Sequence, residues 1–200
     1  MRDVQNQADA RGIAIQRVGI KDAHLPFLIK TKDGGFQQVL ARILFTVALP
    51  MEYKGTHMSR FLEILMPWSK KPLAEEALER LDAQSAEVEL SFKYFIDKEA
   101  PVSRRKSVLD LDCFFRGTKV RGEKMAFTLG VDVPFTSLCP CSKEISEYGA
   151  HNQRSVCRTA VRFREEQECI FIEDLAALIE KQGSSPIYPL LKREDEKYVT

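Results

Sequence analysis

Two stretches near the middle of the chain alternate apolar and polar residues. Residues 88–96 read VELSFKYFI, and residues 107–117 read SVLDLDCFFRG. A period of two is typical of strands that bury one face. The pair Ala100-Pro101 lies between the two stretches and indicates a turn. The sequence therefore predicts two antiparallel neighbours.

Three other apolar segments also predict strands, over residues 37–49, 125–135 and 155–163. They are rich in β-branched residues, and the first ends at Pro50. Residues 56–66, THMSRFLEILM, fit a strand or a helix, because a short apolar run does not separate the two. We expect a strand there. The polar residues 1–35 predict an irregular arm with one short extended piece around Leu28.

Two segments have the apolar spacing of surface helices. Residues 72–86 carry apolar side chains at helical spacing, with charges on the other face: Leu73, Ala77, Leu78 and Leu81. Residues 172–183 have acidic residues in the first turn, which suits the positive end of the helix dipole, and Gly183 as the stop signal. Both are predicted to be helices.

The order of these elements indicates an α+β fold. Two strands, a helix and two strands are followed by two strands and a helix, which suggests two similar modules of antiparallel sheet with helices on one face. We predict an N-terminal arm over residues 1–35, a first module over 36–118 and a second over 119–200. The second module is expected to be incomplete at the C-terminus, so that a partner or further chain covers its open sheet edge.

Composition narrows the classes of function. The 200 residues are 44% hydrophobic and carry a formal net charge of +1, so no global field favours nucleic acid or an anionic membrane. No apolar run approaches the ~20 residues of a membrane span. Five cysteines, an odd number, argue against a disulfide framework. We expect a soluble cytoplasmic protein with reduced thiols and no nucleic-acid or membrane partner.

The segment SLCPCSKEISEYGAHNQRS, residues 137–155, carries the clearest candidate chemistry. Pro140 makes it awkward for both Cys139 and Cys141 to bind one ion, so one is expected to ligate while the other packs. Cys139, His151 and a downstream carboxylate would leave an open position for catalysis, which makes a structural zinc site the weaker interpretation. Zinc suits these donors, and manganese or ferrous iron also fits. The plain alternative is that the thiols are small core residues and the histidine lies in a loop.

Other polar residues are candidates for holding an anionic substrate. Beside the cysteine motif, cations and amides suited to phosphates and purine edges come from Lys143, Asn152, Gln153 and Arg154. They could equally be solvated loop residues. His57 and Arg60 form a second polar group that could reach a phosphate or donate a proton. The remaining thiols, Cys113, Cys157 and Cys169, are expected to act as small apolar side chains.

These segments, with VGIKD at 18–22 and LLKREDEKYVT at 190–200, closely resemble the type IB GTP cyclohydrolase family. The resemblance runs in the same order over nearly the whole chain. It implies the tunnelling fold (T-fold), in which tandem modules join between subunits into a barrel with active sites at subunit interfaces. A homo-oligomer, dimer or tetramer, is therefore expected.

The resemblance also implies the reaction and its residues. GTP and water would give formate and 7,8-dihydroneopterin triphosphate, the first step of folate and pterin biosynthesis. Carried over by position, the metal ligands would be Cys139, His151 and Glu196, with Cys139 and His151 also catalytic. The divalent ion would be zinc or manganese, with iron as a further option.

One departure and two alternatives remain open. Glu194 stands where the family usually has proline, so the ligand could be Glu194, Asp195 or Glu196. The family continues past Thr200, so this chain could instead be a catalytically inactive T-fold subunit or a structural zinc-binding module. Nitrile reduction, a related T-fold activity that uses a cysteine nucleophile, fits the quoted strings less well.

Overall fold

The computed structural model of the chain describes residues 10–65, 73–145, 147, 152–163 and 170–199. Within these residues the chain forms seven strands and five helices. In chain order they are β1 (Ile15–Lys30), β2 (Phe36–Leu49), α1 (Met58–Leu65), α2 (Leu73–Arg80), β3 (Ser85–Glu99), β4 (Lys106–Val120), β5 (Ala126–Leu138), α3 (Pro140–Ile145), β6 (Asn152–Phe163), α4 (Ile172–Glu180), β7 (Ser185–Pro186) and α5 (Arg193–Val199).

One antiparallel sheet runs through the molecule in the order β1-β2-β3-β4-β5-β6, and the short β7 pairs with the end of β5. The predicted pairing of the two alternating stretches is confirmed, since Phe92 lies opposite Cys113 in the β3–β4 ladder. Strands β4 and β5 also pair directly, so the sheet is continuous across residue 118, where the first predicted module ends. The α+β prediction is confirmed.

Helices α1, α2 and α4 lie on one face of the sheet. Alternate residues of β2, from Val39 to Val47, point to this face and are buried. One part of the core packs α1 and α2 against β2 and β3, and the other packs α4 against β3, β4 and β5. The opposite face presents charged side chains such as Lys93, which bridges Asp110 and Asp112.

Three local predictions were wrong. The helix predicted over residues 72–86 ends at Arg80, because the chain from Ser85 onward pairs with β4 as part of strand β3. Residues 56–66 form helix α1 rather than a strand, because Phe61, Ile64 and Leu65 are spaced to bury one helical face. The region around Leu28 belongs to the 16-residue strand β1 rather than to a short extended piece. Its polar residues fit a strand because β1 is an edge strand that is largely exposed.

Polar contacts fix helix α4 to the sheet. The Tyr94 hydroxyl donates to Glu173 at 2.6 Å, and Lys98 pairs with Glu180 in a largely buried ion pair. The backbone N–H of Lys32, in the β1–β2 turn, also donates to Glu173. None of the helices in the described ranges combines the length and the hydrophobicity that a membrane span requires.

Candidate metal and substrate site

Cys139 lies where β5 ends and α3 begins. The last residue of β5, Leu138, pairs with Asn152, the first residue of β6. Pro140 then opens α3, a position that suits proline because its missing N–H would have no partner there. The backbone N–H of Lys143 donates to the carbonyl oxygen of Cys139 at 3.1 Å, which makes Cys139 the residue that caps the helix.

This position favours the thiolate of Cys139. The hydroxyl of Ser142 and the backbone N–H of Ser142 lower the pKa of the thiol below its usual value. A thiolate at the start of a helix accepts hydrogen bonds from groups that have no helical partner, so ionisation is eased. Cys139 is half-buried and therefore still within reach of a ligand. The ionised form is the one that binds metals.

The other thiols have different environments. Cys141 is exposed in the first turn of α3, so the prediction that the second cysteine of the motif packs against the core was wrong. Cys113 is buried, and burial, with smaller contributions from Asp112 and Asp132, raises its pKa to about 12. Cys157 is half-buried with its sulfur 3.3 Å from the Thr159 hydroxyl. Cys169 lies outside the described residues.

The end of β5 is held in place by the chain that follows α4. The Ser184 backbone N–H donates to the Thr136 carbonyl at 2.9 Å, and its hydroxyl accepts from the Leu138 N–H at 3.0 Å. Gly183 lies against Phe135 so closely that a Cβ there would meet the ring at 2.7 Å. Cys139 therefore follows a strand end that is braced on both sides, by β6 and by this connection.

Three of the predicted substrate-binding residues lie near Cys139. Lys143 is exposed on α3, and Gln153 and Arg154 are exposed at the start of β6, opposite Ser137 and Thr136. The backbone of Asn152 pairs with Leu138. His151 lies outside the described residues, so its position relative to Cys139 is a prediction.

The structure separates the three acidic residues at the start of α5. Glu194 and Glu196 are exposed, whereas Asp195 is fully buried. Its Oδ1 accepts the backbone N–H groups of Val102 (2.9 Å) and Ser103 (2.8 Å). Its Oδ2 accepts the Ser103 hydroxyl (2.6 Å) and the Lys192 backbone N–H (2.8 Å). Both oxygens are occupied, so Asp195 is not available as a metal ligand.

Burial by itself would raise the pKa of the Asp195 carboxyl, but the hydrogen bonds from Ser103, Lys192 and Val102 outweigh it and hold the pKa well below its usual value. The carboxylate therefore stays ionised inside the protein. Its partners Val102 and Ser103 form the turn between β3 and β4, which lies at the same end of the sheet as the end of β5. Helix α5, with Glu196, is thus attached at the end of the sheet where Cys139 lies.

His57 and Arg60 lie at the opposite end of the sheet. They line a cavity of about 190 Å³ together with residues that follow β2 and α2, among them Tyr53 and Asp82. The Arg60 guanidinium donates to the carbonyl oxygen of Arg80 at 3.4 Å. Strand β5 has 13 residues, so the two ends of the sheet are roughly 40 Å apart at 3.3 Å per residue. One copy of the chain does not bring His57 and Arg60 to Cys139.

Among the described residues, no three His, Cys, Asp or Glu side chains are grouped closely enough to hold a metal ion. The predicted ligand set includes His151, which is outside those residues, so this finding does not test it. The described part contains a thiol with a lowered pKa at the end of a strand, with cationic and amide residues nearby in the chain and in the sheet. These features are those of a candidate metal-binding enzyme site.

Comparison with known proteins gives the family. The profile of the type I GTP cyclohydrolase FolE2 family matches residues 1–200. A GTP cyclohydrolase FolE2 from Geobacter metallireducens is 48% identical over 207 residues, covering 100% of this chain and 77% of the relative. One from Thermotoga sp. is 45% identical over 206 residues, covering 100% of this chain and 78% of the relative. The chain belongs to the type I GTP cyclohydrolase FolE2 family, and the predicted resemblance is confirmed.

Proposed function

We propose that the protein is a GTP cyclohydrolase that hydrolyses GTP to formate and 7,8-dihydroneopterin triphosphate, the first step of folate and pterin biosynthesis. The observation that carries this proposal is the family match over the whole chain. The ionisable thiol of Cys139, at the braced end of β5, supports it. We place the protein in the cytoplasm, because its proposed substrate GTP is available there.

The residues that would hold the metal are Cys139, His151 and Glu196. Their donors, a thiolate, an imidazole and a carboxylate, suit zinc and also manganese or ferrous iron. When bound, such an ion supplies Lewis acidity and lowers the pKa of a water molecule. Glu196 is preferred over its neighbours because Asp195 is consumed by hydrogen bonds and the family resemblance falls on position 196.

Chain connectivity supports the pairing of Cys139 with His151. Cys139 follows Leu138 directly, His151 precedes Asn152 directly, and Leu138 and Asn152 are partners in the ladder. Cα atoms of antiparallel partners are about 5 Å apart, and each peptide link adds about 3.8 Å. The covalent chain therefore allows the two Cα atoms a separation of at most about 13 Å, and a thiolate and an imidazole would reach one ion across most of that range.

The substrate would lie between these donors and the nearby polar side chains. Lys143 and Arg154 would supply positive charge for the triphosphate, and Asn152 and Gln153 would supply amides for the purine edge. His57 and Arg60 would contact the substrate from a second copy of the chain, since roughly 40 Å separates them from Cys139 within one copy. This separation supports active sites at subunit interfaces.

The element order supports a tandem T-fold arrangement. The first unit, β1-β2-α1-α2-β3-β4, is followed by β5-β6-α4, which repeats the pattern of paired strands and a covering helix. Within the described residues, β1 and β6 are the two outer strands of the sheet. Outer strands have unpaired backbone groups that favour pairing with another chain. We infer that copies of the chain join through these edges into a homo-oligomer.

The direct test is turnover of GTP. Protein loaded with Zn²⁺ or Mn²⁺ should release formate from GTP and yield a product that fluoresces as a pterin after oxidation. Protein stripped with a chelator should lose both signals and regain them when the ion is restored. Metal-loaded protein that binds its ion through four protein ligands and releases no formate would favour the structural alternative instead.

A further inference from the structure

Helix α5 is joined to the turn between β3 and β4 through the buried carboxylate of Asp195. The helix has seven residues, too few to be stable alone, and Asp195 is the buried residue within it. Tyr198 is 72% exposed, and Val199 is only partly covered. Apolar packing therefore contributes little to its position. Asp195 supplies the buried contacts of the helix, through four hydrogen bonds.

Asp195 joins two elements that are far apart in sequence. Toward its own helix, it accepts the backbone N–H of Lys192, as the acidic residue of a capping box does. Toward the sheet, it accepts two backbone N–H groups and one hydroxyl from Val102 and Ser103 in the β3–β4 turn. Four hydrogen bonds to one buried carboxylate fix both the start of the helix and its distance from the sheet.

The β3–β4 turn is itself a defined structure. The Ala100 N–H donates to the Arg105 carbonyl at 2.9 Å, and Arg104 adopts a left-handed backbone conformation with φ of 58°. Ala100 is buried beneath the turn. The turn therefore presents the N–H groups of Val102 and Ser103 from a fixed position, at the end of the sheet that carries Cys139.

We propose that Asp195 is a positioning residue, which anchors α5 to the β3–β4 turn and thereby sets where the adjacent Glu196 carboxylate stands for metal binding. This inference rests on the proposed function, because it takes Glu196 as a ligand. Ser103, the donor of two of the four hydrogen bonds, is the second member of this anchor. Neither residue is proposed to touch the metal or GTP.

Cobalt binding tests the anchor apart from turnover. Co²⁺ is titrated into metal-free protein and followed by its visible absorption, for the wild type and for Asp195→Asn, Ser103→Ala, Glu196→Gln and Glu194→Gln. Asparagine keeps the shape of aspartate but replaces one accepting oxygen with an NH₂ group. Loss of a residue that orients a ligand typically costs about 10–100-fold in metal affinity, and we expect a loss in this range for Asp195→Asn.

The other variants bracket that result. Ser103→Ala removes the hydroxyl but leaves the backbone donors, so a smaller loss of Co²⁺ affinity is expected. Glu196→Gln should lose at least as much affinity as Asp195→Asn. Glu194→Gln, the matched exposed neighbour, should bind like the wild type. At saturating Co²⁺, the absorption spectrum of Asp195→Asn should differ from that of the wild type, because the position of a ligand has changed.

Several results would overturn the positioning role. One is a folded Asp195→Asn protein that binds Co²⁺ with wild-type affinity and has the wild-type spectrum. Another is an Asp195→Asn protein with a lowered melting temperature and an unchanged spectrum, because Asp195 would then have a structural role alone. Undiminished binding by Glu196→Gln would also do so. If Asp195→Asn does not fold, the milder Ser103→Ala decides, and wild-type binding by it counts against the anchor. A wild type that releases no formate while the affinity order holds would reject the proposed function and leave the anchor standing.

Discussion

The thiols of Cys113 and Cys139 lie in opposite environments, although both side chains belong to or directly follow strands of the same sheet. Cys113 is in the core between β3 and β5, where desolvation raises its pKa to about 12. Cys139 caps a helix, where Ser142 lowers its pKa. Reactivity should follow the thiolate population at each site.

Alkylation of metal-free protein measures this difference. At pH 8, a thiol with a pKa of about 12 is ionised in about one molecule in ten thousand, so iodoacetamide should leave Cys113 unmodified until the protein unfolds. Cys139 should react in the folded state. Peptide mass spectrometry separates the sites, and equal labelling rates for both in folded protein would contradict the assignment.

The contribution of Ser142 has its own test. Replacing Ser142 with alanine removes a hydroxyl that stabilises the thiolate, so the pKa of Cys139 should rise. The pH at which its alkylation rate reaches half of its maximum should then move upward. A midpoint that stays the same or moves downward would show that the hydroxyl does not act on this sulfur.

The sequence distinguishes these thiols only in part. The alternation in β4 was enough to predict that Cys113 packs in the core. Which side chains are exposed or buried at Cys141 and at the acidic residues 194–196 was not predictable. Neighbouring residues of the same type cannot be distinguished until the helix that carries them is placed against the sheet. The burial of Asp195 depends on the β3–β4 turn, which lies more than ninety residues earlier.

Helix α1 is the element on which sequence reasoning was most clearly wrong. Phe61 is fully buried in it, with its ring in an edge contact with Phe45 at 4.9 Å between centroids. Its neighbour Leu62 is 47% exposed. A strand would also put successive residues on opposite sides, but only a helix buries Phe61, Ile64 and Leu65 together.

Substitutions at these two neighbours test the helical assignment. Phe61→Ala should lower the free energy of unfolding by about 3–5 kcal/mol, since it leaves a cavity against Phe45. Leu62→Ala should change it by less than about 1 kcal/mol because the side chain is largely in water. Urea denaturation followed by circular dichroism gives both values, and similar losses for the two variants would contradict the burial pattern.

Most elements with a clear period were predicted correctly. Strands β3 and β4 and helix α4 follow their apolar spacing closely, whereas the helix predicted over residues 72–86 ends at Arg80 as α2. Strand β1 was underestimated because its residues are mostly exposed, so its partner β2, rather than a buried face of its own, determines its structure. Such pairing is long-range information that a local pattern does not carry.

At the scale of the whole molecule, two features support the proposed assembly: the outer strands β1 and β6 among the described residues, and the division of candidate substrate residues between the two ends of the sheet. The chain has a mass of 22.8 kDa. Light scattering should therefore give at least twice this mass at micromolar concentration. A 22.8 kDa particle across the whole accessible concentration range would contradict a shared active site.

The edge itself can be altered without touching the core. Val156 is 50% exposed on β6, and a lysine there adds charge beside the outer strand. Charged residues on edge strands oppose pairing between chains. Val156→Lys should lower the measured mass, whereas Val108→Lys, at a similarly exposed position on the interior strand β4, should leave it unchanged. Equal effects of the two variants would place the interface elsewhere.

Metal binding and turnover are proposed to depend most directly on the sulfur of Cys139, and its exposed neighbour Cys141 provides the control. Bound metal and formate release from GTP are measured in parallel for the wild type, Cys139→Ala and Cys141→Ala. Loss of a residue that only orients a metal ligand lowers metal affinity or activity by up to about 100-fold. Loss of the ligand itself should therefore lower both by at least about 100-fold. We predict that Cys139→Ala loses both signals to at least this extent and that Cys141→Ala keeps both. Retention of metal and activity by Cys139→Ala, or their loss from Cys141→Ala alone, would contradict the central claim.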